Sequence, residues 1–411
     1  MVPNGWKVLP LSEITKEKIS YGIVQAGPHV EAGIPYIKSA DVGGDIDVQK
    51  LQRTAPEIHH KYRRSAVHPN DIVFSLRGNI ARTSIVPSDL PEANLTQGTA
   101  RISVDEQNDT KFVYYKLAST PILNRINALG KGSTFKEISL EELRKVKLPL
   151  PPLPEQRKIA KILSTWDKAI STTEKLIETS KQQKKALMQQ LLTGKKRLVN
   201  PETGKAFEGE WTYKTINEVA TRIQKKSDGE AHPILTISSL SGFVTQEDRY
   251  SRYMAGESVK NYILLKRGEF AYNKGNSKTY QFGCIFDLES FDTGLVPHVY
   301  VCFKLNTGLN HRYFKYLFEA DYLKPQLGAL VNTGVRNNGL LNIKPTEFMN
   351  TKVPVPCFGE QERIADVLHT SSENLKILNT KLAHLKQEKK ALMQQLLTGK
   401  RRVKVDEDVA V

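Results

Sequence analysis

Twelve residues, Lys184-Lys185-Ala186-Leu187-Met188-Gln189-Gln190-Leu191-Leu192-Thr193-Gly194-Lys195, recur unchanged from Lys389 to Lys400. Gly194 returns as Gly399, 205 positions on, so a chain of 411 residues divides into two nearly equal halves. The run is apolar at helical spacing, rich in Lys and Gln, and closed by Gly. That is the pattern of the last turns of a helix with a glycine stop. Such a chain must fold as two similar halves, each ending in the same helix.

The helix reaches far upstream in both copies. Pro149-Leu150-Pro151-Pro152-Leu153-Pro154 excludes helix and reads as extended chain. Glu155-Gln156-Arg157-Lys158 then opens a long helix, with its acid in the first turn where the helix dipole favours negative charge. The stripe Ile159, Leu163, Trp166, Ile170, Thr173, Ile177, Ser180, Lys184, Leu187, Leu191 alternates steps of four and three. This is a heptad seam, though polar in its middle. In the second half Val353-Pro354-Val355-Pro356 precedes Glu360-Gln361, and Ile364-Ala365 repeats Ile159-Ala160. Its seam is cleaner: Ile364, Leu368, Ser371, Leu375, Leu378, Leu382, Leu385, Lys389, Leu392, Leu396. Pairing the two seams would bury both stripes, and two similar halves related by a two-fold axis would set the helices antiparallel as a coiled coil. The plainer alternative is two amphipathic helices, each packed on its own domain.

Between the helices the halves share an outline but little sequence. Trp6 corresponds to Trp211 and Glu13 to Glu218 at the same offset, while Pro35 aligns with Pro233 and Asp71 with Glu269. In the first half, strands are expected at Ile34–Ile37, Asp71–Leu76 and Thr99–Val104. Helices are expected at about Thr110–Ala118 and Pro121–Leu129. The fold class is α+β with a curved or mixed sheet. The basic stretch Lys195-Lys196-Arg197-Leu198-Val199-Asn200-Pro201 reads as a linker, and the acidic tail Asp406–Val411 as mobile.

Lys and Arg total 60 against 44 Asp and Glu, a formal charge of +16 that favours a polyanion, most plausibly nucleic acid. Cys284, Cys302 and Cys357 form no zinc-type cluster and no disulfide framework. No leader pattern opens the chain and no apolar run would span a bilayer, which leads to the expectation of a cytoplasmic protein with no membrane contact. No Asn/Asp-Pro-Pro-Tyr run and no GxxxxGK[ST] loop is present, and Asp45 and Asp47 in their Gly-rich turn read as turn residues. No catalytic residue, metal ligand or cofactor is expected.

The run Pro149–Gln156, followed by a long helix ending Leu-Leu-Thr-Gly-Lys, resembles the specificity subunit of type I restriction-modification enzymes. The Gly130–Lys136 run and the Gly5-Trp6…Leu11-Ser12-Glu13 opening are also similar to that family. In the second copy Cys357-Phe358-Gly359 replaces Pro152-Leu153-Pro154. The resemblance covers the chain in order and implies target-recognition domains at 1–150 and 199–355. Helices would follow at 151–198 and 356–411, the last with the tail. It implies a non-catalytic reader of double-stranded DNA that binds two methyltransferase subunits and, in the full complex, restriction subunits. Each domain would read one half of a split target, and an adenine would be methylated by the partner. Glu155 to Thr193 is 38 steps, about 57 Å at roughly 1.5 Å per residue, compatible with half-sites a DNA turn of roughly 34–36 Å or more apart.

Candidate DNA contacts are basic runs interleaved with aromatics and amides. Lys61, Tyr62, Arg63 and Arg64 mix phosphate-binding charge with a stacking ring. Arg77, Asn79 and Arg82 suit base reading, since Arg forks onto guanine and Asn onto adenine. Lys131, Ser133 and Lys136 suit phosphate. In the second half Asn273, Lys274, Asn276, Lys278 and Tyr280 stand at nearly the place of the Arg77 loop, with Arg336 and Asn337 near the place of the Lys131 loop. Two other readings remain open: a stand-alone endonuclease with ungrouped carboxylates, and a scaffold that binds nucleic acid without regard to sequence.

Overall fold

The structure, a computed structural model, describes residues 3–130, 136–250, 257–275, 277–331 and 341–405. The chain forms two compact units, Met1–Glu174 with Thr380–Val411, and Lys175–Asn379. Each contains one globular domain, the start of one long helix and the end of the other.

In the first unit β1 (Lys7–Pro10) pairs antiparallel with β9 (Lys147–Leu150), closing the domain where it leads into the helix. Between them run β2 (Ser20–Tyr21), β3 (Ile34–Ile37), β4 (Gln52–Thr54), β5 (Ile72–Ser75), β6 (Thr83–Ile85), β7 (Asn94–Leu95) and β8 (Thr99–Ile102). One sheet has the order β2-β8-β5-β6 and the other β4-β3-β7, with β3 and β7 parallel. Every residue of β5 and β8 is buried, as expected of inner strands built from Ile72-Val73-Phe74 and Ala100-Arg101-Ile102. Helices α1 (Pro56–Lys61), α2 (Thr110–Leu117), α3 (Thr120–Leu129) and α4 (Leu140–Arg144) cover the sheets. Asp109 caps α2 by accepting from the Phe112 amide at 2.8 Å.

Leu153–Leu191 forms α5. It begins two residues before the expected Glu155 and takes Pro154 into its first turn. A proline fits there because its missing N–H would have no helical partner in any case. The second unit repeats the plan with β10 (Thr212–Thr215), β11 (Ala220–Ile223), β12 (Leu235–Ser238), β13 (Gly242–Thr245), β14 (Ile263–Lys266), β15 (Phe270–Asn273), β16 (Cys284–Asp287), β17 (Thr293–Val296), β18 (Val301–Leu305) and β19 (Lys352–Val355). Its sheet order β11-β18-β15-β16 and its closing pair β10-β19 match β2-β8-β5-β6 and β1-β9. The helices are α6 (Ile216–Val219), α7 (Gln246–Arg249), α8 (His311–Glu319), α9 (Lys324–Leu330), α10 (Pro345–Met349) and α11 (Phe358–Leu396). The second core is more aromatic, with Tyr272 stacked on Phe348 at 4.4 Å and Phe270 on Phe303 at 5.4 Å between ring centroids.

None of the twenty seam positions of α5 and α11 is exposed. In the first unit, the start of α5 meets the end of α11 in antiparallel register. Asp167 binds Lys389, the Trp166 indole N–H donates to Glu388 at 3.2 Å, and Glu174 pairs with Lys386 at 2.7 Å. Leu396 and Leu397 enter the first core beside Ile159 and Leu163. In the second unit Met188, Leu191 and Leu192 enter the core with Ile364, Ala365 and Leu368, so the end of α5 meets the start of α11. The polar seam residue Thr173 is accommodated by donating to the Ala169 carbonyl at 2.7 Å.

Each helix start carries a buried carboxylate held by an arginine from beyond the glycine stop of the other helix. Glu155 accepts from Nε and a terminal nitrogen of Arg402, both at 2.7 Å. Glu360 accepts from Arg197 at 2.6 and 2.7 Å and from the Trp211 indole at 2.9 Å. The same arginines reach the carbonyls of Asn4 and Gly209 at 2.9 Å. The glutamates, the arginines and the two carbonyl-bearing residues are each related by the 205-residue offset, whereas the Trp211 bond is confined to the second unit. Glu360 is fully buried, so Arg197→Ala strands a charge and should lower unfolding stability by about 3 kcal/mol. Adding Glu360→Gln should recover part of the loss in denaturant titrations. An Arg197→Ala variant as stable as the parent would show that the clamp holds nothing.

Candidate nucleic-acid interface

The β5–β6 connection carries Arg77, Asn79 and Arg82, all exposed. Gly78 turns the loop with a φ of 71°, a conformation that favours glycine, and nothing approaches its open face. Ala81 also has positive φ, at 66°, and is buried. The stretch after the Lys131 run lies directly beside this loop. Ile138 donates its amide to the Leu76 carbonyl at 3.0 Å, and the Gly78 amide donates to Lys136 at 3.2 Å. The Arg77 side chain is tied to Glu137 at 2.8 Å, so part of its donor fork is committed. The second unit uses the same device. Leu341 donates to the Lys274 carbonyl at 3.0 Å, which brings the β15–β16 connection against Leu341.

The expected contact residues divide accordingly. Arg77, Asn79, Arg82 and Lys136 are gathered at one site, with Lys136 exposed. Lys61, Tyr62, Arg63 and Arg64 cap the end of α1, where the Lys61 ammonium sits 6.0 Å from the Tyr62 ring centre. Asn273 is half-buried and its Oδ1 accepts from the Gly275 amide at 2.9 Å, shaping the loop from within. Lys274 is half-buried and Lys278 exposed. Tyr280 departs from expectation: it is 9% exposed, in the second unit's smaller core, with burial pushing its hydroxyl up to about 12. Its apolar ring wins a place in the core over a place in the loop. Lys131, Ser133, Asn276, Arg336 and Asn337 lie outside the described residues. Asp47, read as a turn residue, is bound to its neighbour Lys50 at 2.7 Å. Among the described residues the one group of side chains spaced to share a metal ion is Asp228, Glu230 and His232, two of them exposed.

Sequence reading missed the two arginine clamps and the glutamines beside them. Gln156 accepts from the Asp109 amide at 2.9 Å and donates to Pro151; Gln361 accepts from Asn310 at 2.9 Å and donates to Pro356. The available signal was that Arg197 and Arg402 repeat at the helix offset. The seam lysines find partners of the same type in each unit. Lys184 binds Glu319 and lies 5.3 Å from the Tyr316 ring centre, while Lys389 binds Asp167 and lies 5.4 Å from that of Tyr115.

The repeated helix end also lines a cavity in each unit. One, of about 550 Å³, presents Met393, Gln394 and Thr398; the other, of about 470 Å³, presents Met188, Gln189 and Thr193.

A family model for the type I restriction modification DNA specificity domain matches residues 3–181. The chain is 25% identical to the MjaVIII specificity subunit of Methanocaldococcus jannaschii, over 98% of this chain and 94% of that one. Over nearly its whole length the chain is thus similar to specificity subunits of type I restriction-modification enzymes. It is also 28% identical to the EcoBI specificity subunit of Escherichia coli over 216 residues, 52% of this chain and 43% of the relative. The fold matches the solved type I S subunit of M. genitalium with a TM-score of 0.58 at 15% identity, over 96% and 97% of the two chains. A structure from a study of type I complex assembly and conformational transition matches with a TM-score of 0.53 at 16% identity, over 98% and 100%.

Asp321 lines the second cavity with a φ of 55°. Burial raises its carboxyl pKa to about 6, with Lys324 opposing. The folded chain therefore holds that proton more tightly than the unfolded chain. The contribution of Asp321 to stability falls as pH rises through about 4 to 6, and that deficit persists at neutral pH. Asp321→Asn keeps a side chain that tolerates positive φ. It should stabilise the chain at pH 7.5 by roughly 1 kcal/mol after solvent screening is allowed for. The gain should shrink as pH falls through 6 in thermal melts; a gain independent of pH would refute the assignment.

Proposed function

We propose that the chain is the non-catalytic, sequence-specific DNA-binding subunit of a type I restriction-modification complex. It reads a split target in double-stranded DNA. The observation that carries the reading is a matched frame with unmatched readers. Both units share strand order, buried Glu–Arg clamp and glycine-stopped helix end, while the loops gathered at the β5–β6 and β15–β16 connections differ in sequence.

The loop placed at Arg77, Asn79 and Arg82 supplies forked donors and an amide for one half-site. The loop around Lys274 and Lys278 supplies a different set for the other. Identical helix ends lining two cavities suit two copies of one partner, the methyltransferase subunit, with restriction subunits joining in the full complex. The reading needs no cofactor in this chain: the methylated adenine is flipped into the partner's active site. The paired helices set the unread gap between the half-sites. The complex works in the cytoplasm, where the genome is; among the described residues no helix is long and apolar enough to cross a membrane.

Replacing residues 1–145 with the matching region of a relative should change one half of the selected sequence and leave the other intact. Enrichment from a random duplex library by the complex with its methyltransferase would show this. Alteration of both halves, or of neither, would end the modular reading. Magnesium-dependent cutting by the purified chain alone would favour a nuclease instead.

A further inference from the structure

The first domain contains a basic cleft that the sequence runs did not reveal. It has a volume of about 350 Å³ and is lined by Lys18, Arg64, Arg101 and Arg144, with Glu17 the one acid among them. These residues come from four places in the chain: the segment before β2, the turn that follows α1, the middle of β8 and the end of α4. The fold converges them.

Arg101 is only 5% exposed. Its guanidinium is fixed by donating to the Ala66 carbonyl at 2.6 Å and to Glu17. Arg144 donates to the Ile19 carbonyl, and its Nε is buried with no hydrogen-bond partner among the described residues. A buried guanidinium N–H without an acceptor is costly and marks a place where an acceptor belongs. Lys18 and Arg64 stand exposed at the mouth, and the Tyr21 ring beside them is also exposed. Four cations against one carboxylate leave the cleft strongly positive, with planar forks suited to phosphate oxygens.

We propose that this cleft holds a backbone phosphate of the DNA bound to the first domain. The inference rests on the DNA-reading function above and adds a positioning site to it. Two observations favour DNA phosphate over a free anion. Arg64 belongs to the same run as Lys61, Tyr62 and Arg63, and α4 follows directly from the segment that abuts the Arg77 loop. The cleft is therefore lined by residues that adjoin, along the chain, two of the segments expected to contact DNA. It is also peculiar to this half. The residue matching Arg101 is Cys302, and that matching Arg144 is Met349, so the second domain has no counterpart. A phosphate contact carries no base information; it fixes the register of the duplex under the loop.

The test is a Lys18→Ala/Arg64→Ala variant of the full chain, assembled like its parent with the methyltransferase subunit, both sites being exposed. Binding to target and scrambled duplexes is measured across salt concentrations. Affinity should fall roughly tenfold for both duplexes, leaving their ratio unchanged. The salt dependence should become shallower by about one unit of slope. A parent chain that prefers its target, with a variant indistinguishable from it, would overturn the cleft alone. A parent chain that binds no DNA would overturn the function and the cleft together. A Lys205→Ala/Lys214→Ala chain should keep the parent slope; an equal drop there would mean bulk charge, not a site. Inorganic phosphate is titrated against the DNA-free chain in parallel. Saturable stabilisation that the variant loses, with DNA binding unchanged, would assign the cleft to a free anion and refute the proposal.

Discussion

Two buried carboxylates hold this molecule's frame together. Glu155 and Glu360 stand where chain leaves a β-strand and enters a long helix, and each is almost fully removed from water. An isolated carboxylate there would be costly by several kcal/mol. Arg402 and Arg197 offset that cost by gripping both oxygens. The arginines arrive only because Gly399 and Gly194 turn the backbone at φ near 70° just before them. Glycine, arginine and glutamate therefore act together, and each helix start is locked to the end of the other helix.

That lock has consequences for the readers. The leucines of each Leu-Leu-Thr-Gly run lie inside a globular core, Leu396 and Leu397 in the first unit and Leu191 and Leu192 in the second. Glutamines next to the clamps fasten the starts of α2 and α8 through the Asp109 and Asn310 amides. A domain so fixed to its helices has little freedom to reorient on them. The differences lie where tolerance is greatest, in the loops at the sheet ends.

The frame was legible in the sequence because it is written twice. The seams, the glycine stops and the strands at Ile34–Ile37 and Thr99–Ile102 followed from period and punctuation. The start of α5 was misplaced by two residues because prolines were read as barriers, although the first turn tolerates them. Tyr280 was misread because an aromatic in a basic run looks the same whether it stacks on a base or fills a core. The clamps went unseen for a different reason: an arginine in a basic linker gives no sign of the buried acid it meets more than 160 positions away. The cleft of Lys18, Arg64, Arg101 and Arg144 was equally hidden, since long-range convergence has no local period.

The central claim is that one frame, built twice, carries two different readers of one split target. Its most direct test is to co-express the chain with its methyltransferase subunit and map methylated adenines across a genome. The account predicts a single motif of two unlike halves separated by unread bases, with one modified adenine on each strand. A contiguous motif, two identical halves, or methylation without sequence preference would contradict it.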